Sequence, residues 1–171
     1  MCHVFEAVCI LGFAVSVAFA QSEQSPAPAS DSFDWSAELV ALDESMRMMT
    51  VKTPAVGEAQ KQLAALKAGD KILLNWSGFE GYANAVNGVM KHDAVKRPVE
   101  RFSFPAEFVA FDASRNYVTF NVSVPADATA RLKSIKAGEW VTATSKHGHA
   151  SVTQPIAAVR GYNDPATTAL K

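Results

Sequence analysis

The chain has 171 residues, 16 Lys+Arg against 17 Asp+Glu for a formal charge of -1, and 49% hydrophobic residues. That length suits one ordinary domain or two very small ones, with enough apolar content for a core. The near-neutral balance supplies no basic field, which argues against a nucleic-acid partner. Charged residues, at 19%, fall below the roughly 25% usual for soluble proteins.

Residues 7–20 (AVCILGFAVSVAFA) form an apolar run without a charge, shorter than the roughly 20 residues a membrane-spanning helix needs. The run ends in Ala18-Phe19-Ala20, small residues at the positions a signal peptidase reads, and turns polar at Gln21. Residues 1–20 are therefore expected to be a signal helix that exports the chain to the periplasm or beyond, with no stable membrane insertion after cleavage. Met1–Glu6 departs from the pattern by holding no Lys or Arg, and an uncleaved anchor is the alternative. Cleavage after Ala20 removes Cys2 and Cys9, leaving no disulfide, thiolate nucleophile or cysteine-based zinc site. Residues 21–34, rich in Ser, Pro and Gln, read as a flexible linker.

The remainder contains itself twice. Ala37-Glu38-Leu39-Val40-Ala41-Leu42-Asp43 recurs as Ala106-Glu107-Phe108-Val109-Ala110-Phe111-Asp112, and Lys67-Ala68-Gly69-Asp70 as Lys136-Ala137-Gly138-Glu139, both at an offset of 69. Between residues 37 and 78 no gap is needed and 12 of 42 positions are identical, against roughly three or four expected by chance in an Ala-rich chain. The mismatches keep their class: Leu39/Phe108, Leu42/Phe111, Leu66/Ile135 and Ile72/Val141.

Each copy reads as β-β-α-β-β. The first apolar strand ends at Asp43 or Asp112, whose carboxylate accepts backbone hydrogen bonds in a hairpin turn. A second strand follows through Met48–Val51 or Tyr117–Phe120, and Pro54 or Pro125 breaks it. Ala59, Leu63 and Leu66, with Ala128, Leu132 and Ile135, have helical spacing, and Glu58 or Asp127 sits at the positive end of the helix. Gly69 and Gly138 stand where a helix C-terminus takes a left-handed residue. Third strands run over Lys71–Trp76 and Trp140–Thr144, and fourth strands over Tyr82–Val89 and Val152–Val159. The expected fold is mainly β with short helices: two tandem β-β-α-β-β small barrels over 35–91 and 105–163. A connector spans 92–104 and a tail 164–171. At 55 to 60 residues a unit has a marginal core, and packing two together eases the shortage.

The succession of apolar strand, Asp turn, Thr-Val or Thr-Phe strand and Leu66-Lys67-Ala68-Gly69-Asp70, repeated with Ile135-Lys136-Ala137-Gly138-Glu139, resembles small exported OB-like barrels of bacteria. Periplasmic copper- and silver-binding efflux chaperones are among them. The resemblance covers roughly 37–90 and 106–160, and it implies fold and compartment rather than ligand. Those chaperones carry a His, a Trp and a Met-x-Met pair on facing strands. Met46-Arg47-Met48 has that spacing but sits at the first hairpin.

Three groups of side chains bear on function. Met46, Met48 and Met90 with His92 offer thioether and imidazole donors that suit Cu(I) or Ag(I). Core packing is the competing role, most of all for Met49, whose twin is Val118. His147 and His149 flank Gly148 in an expected hairpin loop and have two imidazoles to offer zinc or Cu(II); a solvated loop explains them equally. Trp76, Phe79 and Tyr82 cluster around Gly78 and Gly81, where the second copy has no aromatic group. Such rings either form a stacking surface for a sugar, peptide or partner or fold inward as core. The repeated carboxylates Glu38, Glu107, Asp43 and Asp112 read as turn and strand-edge groups, because what both copies keep serves folding. The chain is thus expected to be an exported, non-enzymatic binding or accessory protein, without catalytic residues or a required cofactor. Its partner is an unidentified periplasmic protein or small ligand. A Cu/Ag-handling protein is the alternative, and a hydrolase, which lacks a recognisable nucleophile constellation, is third.

Overall fold

The computed structural model describes residues 32–77, 85–92, 102–146 and 156–164. The described residues form eight antiparallel strands and two short helices: β1 (Ser32–Asp43), β2 (Met48–Pro54), α1 (Glu58–Leu63), β3 (Lys71–Trp76), β4 (Val86–Lys91), β5 (Ser103–Asp112), β6 (Tyr117–Ser123), α2 (Ala126–Leu132), β7 (Trp140–Lys146) and β8 (Ile156–Gly161). Neither helix is long and apolar enough to cross a membrane.

The Asp turns form as the sequence predicts. Asp43 Oδ1 accepts from Ser45 Oγ at 2.7 Å and Met46 N at 2.9 Å, and Asp112 Oδ1 accepts from Ser114 N and Arg115 N at 2.9 and 3.2 Å. Holding the carboxylate with these donors favours its charged form, so both Asp43 and Asp112 are shifted below the ordinary value, chiefly by the serine hydroxyls. Each turn closes through a residue at positive φ, Arg47 at 51° and Asn116 at 57°. Gly69 and Gly138, at 89° and 93°, occupy conformations that L side chains adopt only at a cost.

The strand order is β4-β3-β5-β6-β2-β1-β7-β8, so residues 35–91 and 105–163 are not built as two self-contained sheets. The third strand of each half leaves its own hairpin and pairs with the first strand of the other: β3 with β5 and β7 with β1. The strands form one open sheet with β4 and β8 at its edges, where the sequence suggested two separate barrels. An isolated parallel bridge, Ala55 to Val86, brings the start of β4 back against the residue after β2.

Registers repeat at the offset found in the sequence. Leu39 faces Val51 as Phe108 faces Phe120, and Ala37 faces Val141 as Ala106 faces Ile72. At the middle, β2 pairs with β6 with Val51 opposite its own twin, Phe120. Each long first strand carries a bulge, between Leu39 and Ala41 or between Phe108 and Ala110. The bulge turns a backbone donor and acceptor toward the other half. Leu39 N donates to Glu139 O and Leu39 O accepts from Gly138 N, both at 2.8 Å; Phe108 does the same with Asp70 and Gly69 at 2.9 and 2.8 Å. The Lys-Ala-Gly turn, read as a structural element, is therefore the clasp between halves.

One hydrophobic cluster draws on both halves. At its centre Trp35 stacks on Phe104, its twin, with centroids 4.6 Å apart and planes 4° from parallel. Phe120 and Trp76 lie against Trp35 at 5.9 and 5.7 Å. Phe33 meets its own twin, Phe102, edge-to-face at 5.6 Å. Aromatic pairs of this kind add about 0.5–1.5 kcal/mol to the burial of their area. The Trp35 indole N–H is satisfied by Ser145 Oγ at 2.7 Å. Because Phe33 is buried here, β1 begins at Ser32, and residues 32–34, assigned to the linker on composition, are strand. The end of the connector is likewise strand from Ser103.

Candidate ligand-binding groove

The two halves share backbone geometry, so places where twin side chains diverge are places freed from the needs of folding. The sharpest divergence is at the end of the third and fourth strands. In the first half this corner carries two ion pairs. Lys71 pairs with Glu107 across β3 and β5, and Lys91 Nζ lies 3.1 Å from Asp70 Oδ2. The backbone N–H of Lys67 also donates to Asp70 Oδ2 at 3.0 Å. That N–H first, and Lys91 second, hold Asp70 below the ordinary carboxylate range; Lys71 does the same for Glu107.

In the second half both lysines are replaced. Register puts Trp140 where the first half has Lys71, and Gly161, opposite Val141, where it has Lys91, opposite Ile72. The carboxylate remains: Glu139 Oε2 accepts from Lys136 N at 2.9 Å, just as Asp70 caps Lys67. Among the described residues no lysine or arginine forms an ion pair with Glu139, whereas Glu38, twin of Glu107, finds a substitute cation in Lys52 at 2.9 Å.

Where the lysines are missing, a groove of about 840 Å³ opens, lined by Pro54, Ile135, Glu139, Trp140, Tyr162 and Asp164 among others. Trp140 and Tyr162 meet edge-to-face, centroids 6.1 Å apart at 66°, and the backbone fixes them there because Tyr162 N donates to Trp140 O at 3.0 Å. Tyr162 is 51% exposed. Asp164 folds back so that its Oδ2 accepts from Gly161 N at 2.9 Å. A Cβ at position 161 would stand 2.8 Å from that oxygen, so the glycine is what admits the second carboxylate. Arg160 bounds this end, donating to the Asp164 carbonyl at 3.0 Å and to Asp34 Oδ2 at 3.1 Å. The result is two aromatic rings and two carboxylates around a hollow, where the twin corner has two lysines paired with its carboxylates.

The residues singled out in the sequence lie elsewhere. Met46 is in the first hairpin turn, 69% exposed, and Met48 opens β2 opposite Asp43 and Ser123. Met90 lies on edge strand β4 opposite Leu73, with His92 just beyond. The parallel Ala55–Val86 bridge lies between these two groups, since Met48 is reached backward along β2 from Ala55 and Met90 forward along β4 from Val86. The structure does not bring Met46 and Met48 together with Met90 and His92. Met49 is fully buried, in its expected core role. Trp76 is 2% exposed and packs on Trp35, so its ring is core rather than a stacking surface; Phe79 and Tyr82 lie outside the described residues, as do His147 and His149. Among the described residues no group of three or more His, Cys, Asp or Glu converges in a way that would hold a metal ion. In the sequence Trp140 reads only as the start of a strand, although the Lys71/Trp140 contrast is visible at the offset of 69.

Comparison with protein-family models, with characterised proteins and with solved structures finds no match to this chain.

Proposed function

We propose that this chain is an exported, non-enzymatic binding protein built from a duplicated β-β-α-β-β unit, with its ligand site in the Trp140–Tyr162 groove. The observation that carries the reading is the loss of both corner lysines in one half only, with an aromatic pair and an open groove in their place. The volume falls within the roughly 300–1,000 Å³ of small-ligand sites, which combine aromatic walls with a few placed polar groups. Export rests on the N-terminal apolar run and its Ala-Phe-Ala end. Duplication rests on the sequence offset of 69, which the strand registers share.

The chain has three tryptophans, and each gives its own indole signal in a nitrogen-15 correlation spectrum. Titrating the purified protein with a neutral disaccharide, a short peptide and an aliphatic amine is expected to move the Trp140 signal with at least one of them, leaving buried Trp35 and Trp76 in place. A Trp140 signal indifferent to all three overturns the binding reading. Mass spectrometry of the exported protein is expected to find Gln21 as the first residue, and a retained Met1 would overturn the signal assignment.

A further inference from the structure

The first half displays, in its own side chains, what the second half lacks. Its corner holds an aliphatic chain ending in an ammonium, Lys91, against the carboxylate of Asp70, itself fixed by a backbone N–H. The second half keeps the equivalent carboxylate, Glu139, fixed by the equivalent N–H. It lacks the lysine and adds a second carboxylate at Asp164. From this we infer that the groove takes a small aliphatic amine, its ammonium at Glu139 and Asp164 and its methylene chain along Trp140 and Tyr162.

The chemistry is consistent at each contact. An ammonium near carboxylates gains charge-assisted hydrogen bonds, and the negative faces of the two rings attract the same cation. Methylenes laid on Trp140, Tyr162 and Ile135 lose apolar contact with water. Among the described residues, the neighbouring cations do not already fill the place. Arg160 is held by Asp34 and the Asp164 carbonyl, Lys133 pairs with Glu44, and Lys136 has a counterpart in Lys67 of the filled corner, so it does not account for the difference between halves. A neutral sugar would bring no charge for the two carboxylates, and an anion would be repelled by them.

This assignment rests on the binding reading above, and one experiment separates them. The full-length mature protein is titrated with 1,5-diaminopentane, with 1,5-pentanediol as the uncharged counterpart of equal length, with a lysine-containing tripeptide and with a neutral disaccharide, following the three indole signals. The expected result is a saturable shift of Trp140 alone with the diamine, none with the diol, and weakening of about tenfold in high salt as screening cuts the charge term. Glu139→Gln is expected to abolish or weaken the Trp140 response to the diamine while the Trp35 and Trp76 signals stay in place. Trp140→Lys restores the lysine of the other half and removes that indole, so it is followed through the backbone amide signals of Gly161 and Tyr162, which are expected to shift with the diamine in the unaltered protein and to stay in place in the variant. Equal response to diol and diamine overturns the amine assignment, and so does a response to the disaccharide without one to the diamine, though the groove reading then survives. A response to the tripeptide alone overturns the small-molecule assignment in favour of a polypeptide lysine. Silence from Trp140 with all four overturns both.

Discussion

The two corners at the ends of β3–β4 and β7–β8 are built on one backbone plan and filled in opposite ways. In the first, Asp70 and Glu107 each have a lysine. In the second, tryptophan and glycine stand at those positions and a groove opens beside Glu139. Exposed ion pairs contribute little to stability, on the order of 0–1 kcal/mol each, so giving them up costs the fold almost nothing. The clasp beside them, Gly69 to Phe108 and Gly138 to Leu39, is kept in both halves. The architecture needs the clasps and leaves the corner ion pairs free to change.

The largest expected effect falls where the halves are one object. Trp35→Ala removes a fully buried ring stacked on Phe104 and should destabilise the protein by about 3–5 kcal/mol, with Phe104→Ala similar. Because β3–β5, β2–β6 and β1–β7 all cross between halves, urea unfolding followed by far-ultraviolet circular dichroism should remain a single transition in both variants. Two resolved transitions would mean that the halves are independent after all.

A smaller, matched pair of effects is expected at the clasps. Gly69→Ala and Gly138→Ala place a Cβ where nothing lies within 4 Å, so the cost is conformational, about 1–2 kcal/mol at positive φ. Thermal unfolding should show nearly equal losses, and a twofold inequality would break the equivalence of the two turns.

The twin order of strands, the Asp turns and the left-handed glycines were legible because local chemistry dictates them. Partner choice was not. Alternation reports which face of a strand is buried and says nothing about which strand lies beside it, so the exchange of β3 and β7 between halves could not be read. The start of β1 was readable: Phe33 and Phe102 obey the offset of 69, yet the Ser- and Pro-rich composition around Phe33 masked a residue that the aromatic core buries. Trp76 beside its glycines was open to either a surface or a core role, and the core takes it because a small two-part core recruits the large rings near its centre. The groove was half legible, since Lys71 and Trp140 are aligned in sequence while the Lys91-to-Gly161 loss depends on the pairing register.

Converting one corner into the other sharpens the comparison further. Lys71→Trp with Lys91→Gly should leave stability within about 1 kcal/mol and confer on the first half a new indole signal that responds to 1,5-diaminopentane. If the variant folds and that signal is inert, a carboxylate at the position of Asp164, where the first half has Ala94 in sequence, is what the amine requires.

The smallest effect concerns acid. Asp70 is shifted down because its charged form is hydrogen-bonded in the fold, first by Lys67 N–H and then by Lys91. The folded state therefore binds fewer protons than the unfolded one near the ordinary Asp value of about 3.9. The stabilisation is fully present above that value and is lost as pH falls through the lower, folded one. Glu107, lowered by Lys71, behaves in the same direction from about 4.3 downward. Lys91→Met removes the hydrogen bond and the charge of Lys91 but leaves the leading cause at Asp70, the Lys67 N–H, so the acid limb of a stability-versus-pH curve should keep part of its slope, whereas Asp70→Asn should flatten it measurably. Salt offers an independent check, because it screens the exposed lysine and leaves the backbone donor untouched. Loss of the whole acid slope in Lys91→Met would make the ion pair, rather than the Lys-Ala-Gly turn, the group that holds this carboxylate.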